Sequence, residues 1–169
     1  MPSDLKKLIA DTQNEFRNHP ATAQVSFRSS SALQDGFRSV ASLRDHRVII
    51  DEPASLGGTD RGPNPVELIL AALGSCQEIT YRAFATALGI PLDSVSVELR
   101  GDLDLRGFFA VDPLVRAGYQ RIRGTVKLRA RGATAEQLDQ LRNVVNAHCP
   151  VLDILANPVP VAIDVAIEA

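Results

Sequence analysis

The chain contains no tryptophan, a single methionine and only two tyrosines, so its 5% aromatic content rests mainly on six phenylalanines. Cysteine is as scarce. Two in 169 residues are too few for a disulfide scaffold, and their spacing is not that of a zinc finger. No apolar stretch has the uninterrupted length of a bilayer span, and Met1-Pro2-Ser3-Asp4-Leu5-Lys6-Lys7 leads into polar residues rather than a signal-peptide core. A cytoplasmic protein with no membrane partner is expected. Charge of one sign is also missing: the formal net charge is -2, which supplies no general attraction to nucleic acid. Neither a dinucleotide-binding fingerprint nor a P-loop occurs. What is present is an ordinary balance, 45% apolar and 22% charged, enough for one domain with a substantial core.

Residues 4–18 read as an amphipathic helix, with Leu5, Leu8, Ile9, Thr12 and Phe16 on one face, closed by Asn18-His19-Pro20. Residues 1–20 are therefore expected as an N-terminal helical extension and 21–169 as the main domain. The period then changes. Val25–Phe27, Ser39–Leu43 and Val48–Ile50 read as short antiparallel strands, with turns at Gln34-Asp35-Gly36 and Arg44-Asp45-His46.

After a punctuated loop comes a clear helix start. Asn64 suits the N-cap, Pro65 the first helical position and Glu67 the third, an Asn variant of the capping box. This helix runs to Leu88, with Gly89-Ile90-Pro91 as its stop. Leu68 through Leu73 leave no polar face in its first half. Such a helix is buried on most sides, and a subunit of this size has little material to surround it, so a homodimer is expected.

Beyond it, Val95, Val97 and Leu99 alternate with polar residues, as do Ile122, Val126 and Leu128. Residues 103–119 read as a long loop or a further edge pair. Arg123, Lys127, Arg129 and Arg131 form a basic row that reads as a solvated sheet face, because no aromatics interleave with it. Thr134 and Gln137 make a capping box for a helix through Ala147, and Val159, Val161, Ile163, Val165 and Ile167 read as a final strand. The fold class is α+β: antiparallel sheets packed around a long buried helix.

The two cysteines occupy contrasting settings. Cys76 lies far past the first turn of the apolar helix, where an inert core thiol and a reactive one are both open. Reactivity there requires a nearby cation or several hydrogen-bond donors, since burial alone disfavours thiolate. Cys149 follows His148 and precedes Pro150, which opens a further helix. That helix start favours thiolate, although the same residues also suit a plain break between packed helices.

The stretch Gly62-Pro63-Asn64-Pro65-Val66-Glu67-Leu68-Ile69-Leu70-Ala71-Ala72-Leu73-Gly74-Ser75-Cys76 resembles the central-helix motif of the OsmC/Ohr family. Asn146-Ala147-His148-Cys149-Pro150-Val151 resembles the family's second cysteine motif, and the element order is similar from about residue 21 onward. The resemblance implies an intertwined α+β homodimer that reduces organic hydroperoxides by thiol chemistry. Cys76 would attack the peroxide and become a sulfenic acid. Cys149 would condense with it to a disulfide, later opened by an external dithiol reductant. No flavin, haem or metal cofactor is implied.

The resemblance also implies an arginine–glutamate pair at the attacking cysteine, and there this chain departs from the pattern. Val66 stands where the family carries its glutamate, and Glu67 comes one residue later. Nine positions of helix amount to roughly 900 degrees, which turns Glu67 about opposite Cys76. Its place in the capping box already accounts for it. Arg38 and Arg61, each beside a glycine-containing turn, are the candidate arginines. The catalytic candidates are thus Cys76, Cys149, Arg38, Arg61 and Glu67. A redox sensor or small-ligand binding protein on the same fold is the alternative, and Phe108-Phe109 are candidates for the wall of an apolar substrate channel.

Overall fold

The computed structural model describes residues 2–168. Helix α1 spans Pro2–Asn18 and ends where His19 donates its N–H to the Glu15 carbonyl before Pro20. It packs against the central helix, with Leu8 and Phe16 left exposed.

Three strands follow, β1 (Ser30–Asp35), β2 (Arg38–Leu43) and β3 (His46–Ile50), joined as an antiparallel meander in the order β1-β2-β3. Two-residue turns set both registers: Asp35 lies opposite Arg38 and Leu43 opposite His46. The turns carry positive φ at Gly36 (56°) and Arg44 (54°), the twist that tight hairpins need. The expected strand at Val25–Phe27 is absent. Those residues are irregular, with Val25 and Phe27 exposed. Pairing with β2 moves the first strand to a serine-rich stretch of weak intrinsic signal, because a two-residue turn dictates which residues face β2.

Helix α2 (Pro65–Leu88) fits its sequence signals closely. Asn64 caps it and Gly89, with φ 70°, ends it in the left-handed region. Leu73, Gln77, Thr80, Tyr81 and Ala85 form its buried stripe. The opposite side is open within the protomer, where Ile79 is 68% exposed. The expectation of a helix buried on most sides is therefore met along one face only.

Strands β4 (Ser94–Asp102) and β5 (Arg121–Arg129) form a second antiparallel sheet. The register runs from Ser94 opposite Arg129 to Asp102 opposite Arg121, and puts Val95, Val97, Val126 and Leu128 on the inner face. Ion pairs cover the outer face: Arg123 with Asp102, and Lys127 with Glu98 at 3.6 Å. The basic row is a solvated, paired surface.

The connection between β4 and β5 is a loop with one short helix, α3 (Leu105–Phe108). Helices α4 (Ala135–His148) and α5 (Pro150–Ala156) complete the chain's regular structure. The core is built where α2, α4 and the second sheet meet, from Tyr81, Ala85, Ile90, Leu92, Leu141 and Val145. Residues 159–167 form no strand. Their apolar members are exposed, from 49% at Val159 to 86% at Ile167. Alternation determines which face a strand would bury, but a strand forms only when its backbone pairs, and this segment joins none of the sheet edges of the protomer. Among the described residues, no helix is long and apolar enough to cross a membrane.

Candidate thiol site

Two local devices position Cys76. The first is the cap of α2, where Glu67 N–H donates to Asn64 Oδ1 at 2.9 Å and Asn64 N–H to Glu67 Oε2 at 2.9 Å. The second is the loop leading into it, gathered around the buried carboxylate of Asp51. This group accepts from Thr59 Oγ1 at 2.6 Å and from the backbone N–H groups of Glu52, Thr59 and Arg61 at 2.9, 3.1 and 3.2 Å. The Thr59 hydroxyl foremost, with those amides, holds Asp51 below the usual carboxylate range against the opposing effect of burial. Asp51 is thus committed to shaping the loop. Within α2, Thr80 Oγ1 donates to the Cys76 carbonyl at 2.7 Å.

Cys149 is the hinge residue between α4 and α5. Its backbone is extended (φ −81°, ψ 110°), and Pro150 begins the next helix. Its carbonyl accepts from Asp153 N–H at 3.0 Å, and its side chain is buried, while Cys76 is half-buried. The break that turns the chain at Pro150 aims the Cys149 thiol at Cys76, to whose sulfur it donates at 3.3 Å. Both cysteines are free thiols.

Burial pushes the Cys149 thiol above its ordinary value. The Leu152 N–H works against that, Cys76 reinforces it through the hydrogen bond and its charge, and the Gln77 side-chain amide again favours thiolate. Cys149 therefore retains its proton, and that proton points at the Cys76 sulfur. Cys149 is the hydrogen-bond donor of the pair.

The other candidates lie elsewhere. Glu67 is occupied by the capping box. Arg38 begins β2, half-buried opposite Asp35. Arg61 contributes its backbone N–H to Asp51 and exposes its side chain. Among the described residues, no guanidinium is a hydrogen-bond partner of either sulfur, and no cluster of three His, Cys, Asp or Glu side chains could hold a metal ion. Phe108 and Phe109 stack edge to face, 4.9 Å apart, and stand exposed on the loop.

A cavity of about 650 Å³ lies beside the thiols, walled by Ile69, Leu73, Val97, Leu99, Leu152 and Leu155. Neither sulfur lines it. Gln77, one residue beyond Cys76, belongs to the cavity wall. At another part of the wall, Tyr119 donates its hydroxyl to the Val66 carbonyl at 2.9 Å. Its ring rests on Gly101, where a Cβ would fall 2.3 Å from the ring, so only glycine admits this contact. Burial, aided by the Glu67 charge, raises the Tyr119 hydroxyl above its ordinary pKa.

Sequence reasoning missed Gln77 and Tyr119. For Gln77 a signal existed: it follows Leu73 and precedes Tyr81 at four-residue spacing, a polar break in an inward stripe. Tyr119 carried no such signal, because its partner is fifty-three residues away.

The family model for OsmC-like proteins matches residues 58–164, well over half of the chain. No curated protein sequence matches. Among solved structures, the chain is similar to an OsmC-like protein from Mycoplasma pneumoniae, at 15% identity and TM-score 0.68, covering 80% of this chain and 90% of that one. It is also similar to an organic hydroperoxide resistance protein OsmC from Legionella pneumophila, at 19% identity and TM-score 0.56, covering 78% and 91%. A third is an organic hydroperoxide resistance protein from Elizabethkingia anophelis, at 14% identity and TM-score 0.59, covering 80% and 91%. At these identities the structural likeness carries the α+β fold, while the matched family model carries membership. With its two cysteine motifs folded onto one another in that architecture, the chain belongs to the OsmC-like protein family.

Proposed function

We propose that this protein reduces organic hydroperoxides with its two cysteines, in the cytoplasm and as a homodimer. The observation that carries this reading is the 3.3 Å approach of Cys149 to Cys76 across seventy-three residues. Two of its structural relatives are named as organic hydroperoxide resistance proteins, which supports the choice of substrate class. The open faces of α2 and of residues 159–167 support the homodimer, since apolar surface left in water favours association.

The thiolate of Cys76 attacks the outer peroxide oxygen. The O–O bond breaks, the alkoxide leaves with a proton as alcohol, and Cys76 becomes a sulfenic acid. The Cys149 sulfur, having lost its proton, then attacks the Cys76 sulfur. The S–O bond breaks, hydroxide leaves and takes up a proton as water, and a disulfide forms. An external dithiol returns both sulfurs to thiols by two exchange steps, itself becoming a disulfide. The cycle uses sulfur alone and requires no cofactor.

The thiols' lack of a guanidinium partner among the described residues favours a second reading, a redox sensor or small-ligand binding protein in which the same pair oxidises slowly. Single-turnover thiol loss separates the two. Reduced protein mixed with an organic hydroperoxide should lose both thiols rapidly, Cys76→Ser should lose none, and Cys149→Ser should stop at a sulfenic acid. Rapid oxidation in Cys76→Ser would remove Cys76 from its proposed role, and slow oxidation of the unaltered protein would favour the sensor.

A further inference from the structure

We propose that the cavity beside the thiols is a binding site for an apolar carboxylate, its head held by Arg116 and Arg121 and its body lying along α2. The site needs no thiol chemistry. Under the peroxidase reading, on which this one clause rests, it selects hydroperoxides whose anionic group is remote from the peroxide.

The cavity is opened by what the second sheet lacks. On its inner face Val95, Val97, Leu99 and Gly101 of β4 lie opposite Leu128, Val126, Gly124 and Ile122 of β5. At the Val95–Leu128 end the face packs against the core. Toward the other end, two positions that alternation would fill with apolar side chains are glycines. Tyr119 lays its ring on Gly101, and Leu99 leans over Gly124, where a Cβ would fall 2.5 Å from Leu99 Cδ2. With no side chain at 124 the face recedes, and about 650 Å³ stays open between the sheet, α2 and α5. That volume suits a small-molecule ligand.

The cavity follows α2 from Val66 to Gln77, a span of about 16 Å of helix. Tyr119, bonded to the Val66 carbonyl, marks one end, and Arg116 and Arg121 line the cavity with it. The Arg116 guanidinium folds back beside Gly118, where a Cβ would stand 3.7 Å from Nη2. The neighbouring acids are already engaged: Asp102 by Arg100 and Arg123, Asp104 and Asp112 by Arg106. Among the described residues, no Asp or Glu lines the cavity, and neither Arg116 nor Arg121 has a side-chain partner.

These features select the ligand class. The apolar walls favour a hydrocarbon body, which gains by leaving water. Guanidinium forks favour a carboxylate, which accepts their N–H groups in pairs. A neutral apolar molecule would leave the arginines unused, and a small inorganic anion would leave the walls wet.

The test titrates octanoate and octanol into the protein by calorimetry, repeated on Cys76→Ser so that the site is read without the attacking thiol. Octanoate should bind both proteins alike and about 5-fold more tightly than octanol, an advantage that shrinks as salt is raised. Arg116→Gln should weaken octanoate about 5-fold and leave octanol unchanged. Ile69→Trp, which fills the cavity from a wall position already 40% exposed, should abolish binding of both. Thermal unfolding identifies folded variants, and Arg121→Gln serves if Arg116→Gln fails to fold. Equal affinity for octanoate and octanol overturns the assignment, as does octanoate binding undiminished in both arginine variants. So does the absence of saturable binding, the result expected where a second copy of the chain fills the cavity. Failure of the peroxidase reading shows separately, as slow thiol loss in a protein that still binds octanoate.

Discussion

Cys149 donates its thiol hydrogen to the sulfur of Cys76 across 3.3 Å, and the two sulfurs differ in burial. The buried donor keeps its proton, and the half-buried acceptor is the more accessible of the two sulfurs. That difference in accessibility supports the proposed roles of Cys76 as attacking sulfur and Cys149 as resolving one.

The raised Cys149 pKa has a consequence for stability. An unfolded thiol ionises near its ordinary value of about 8.5, below the folded one. The stabilising contribution is therefore complete below that value and declines as pH rises through the folded pKa. The reduced protein should lose stability above about pH 8.5 more steeply than Cys149→Ser, as read from urea midpoints against pH.

Asp51 carries the opposite sign. Its folded pKa is lowered, so its contribution is present above the unfolded value of about 3.9 and is lost as pH falls through the folded one. Asp51→Ala should lower the melting temperature at neutral pH and flatten the decline in stability on acidification.

Glu67 tests the cap. Glu67→Ala removes half of the capping box and should cost about 0.5–1 kcal/mol. Glu67→Gln preserves the acceptor and should cost little. Denaturant midpoints distinguish them.

Tyr119 and Gly101 form a coupled pair. Tyr119→Phe removes one hydrogen bond, worth about 1 kcal/mol. Gly101→Ala should cost more, because its Cβ would displace the whole ring. Combining Gly101→Ala with Tyr119→Ala should recover part of the loss, a non-additivity seen in a double-mutant cycle.

Ile79 lies three residues beyond Cys76 on the open face of α2 and is 68% exposed. If two copies associate through that face, Ile79→Lys should shift the protein from dimer to monomer in sedimentation velocity. A dimer unaffected by this change would place the interface elsewhere.

Much of the fold was legible because its determinants are local. Asn64 and Glu67 announce the start of α2, Thr134 and Gln137 that of α4, and Gly89 a stop, each through contacts within one helical turn. Alternation at Val95, Val97 and Leu99 likewise settles which face of β4 turns inward. The misread segments are those governed by distant partners. Val25–Phe27 looked like a strand and is not, because β2 pairs with residues further on. Residues 159–167 alternate well but meet no edge in the protomer.

The same division applies to the site. By itself the sequence determined that two thiols exist, one on an apolar helix and one at a proline-marked helix start, within motifs specific to one family. Only the tertiary structure decided that they meet. Capping and periodicity act over a few residues. The approach of two sulfurs seventy-three positions apart depends instead on how α2, α4 and the second sheet bury their apolar faces together.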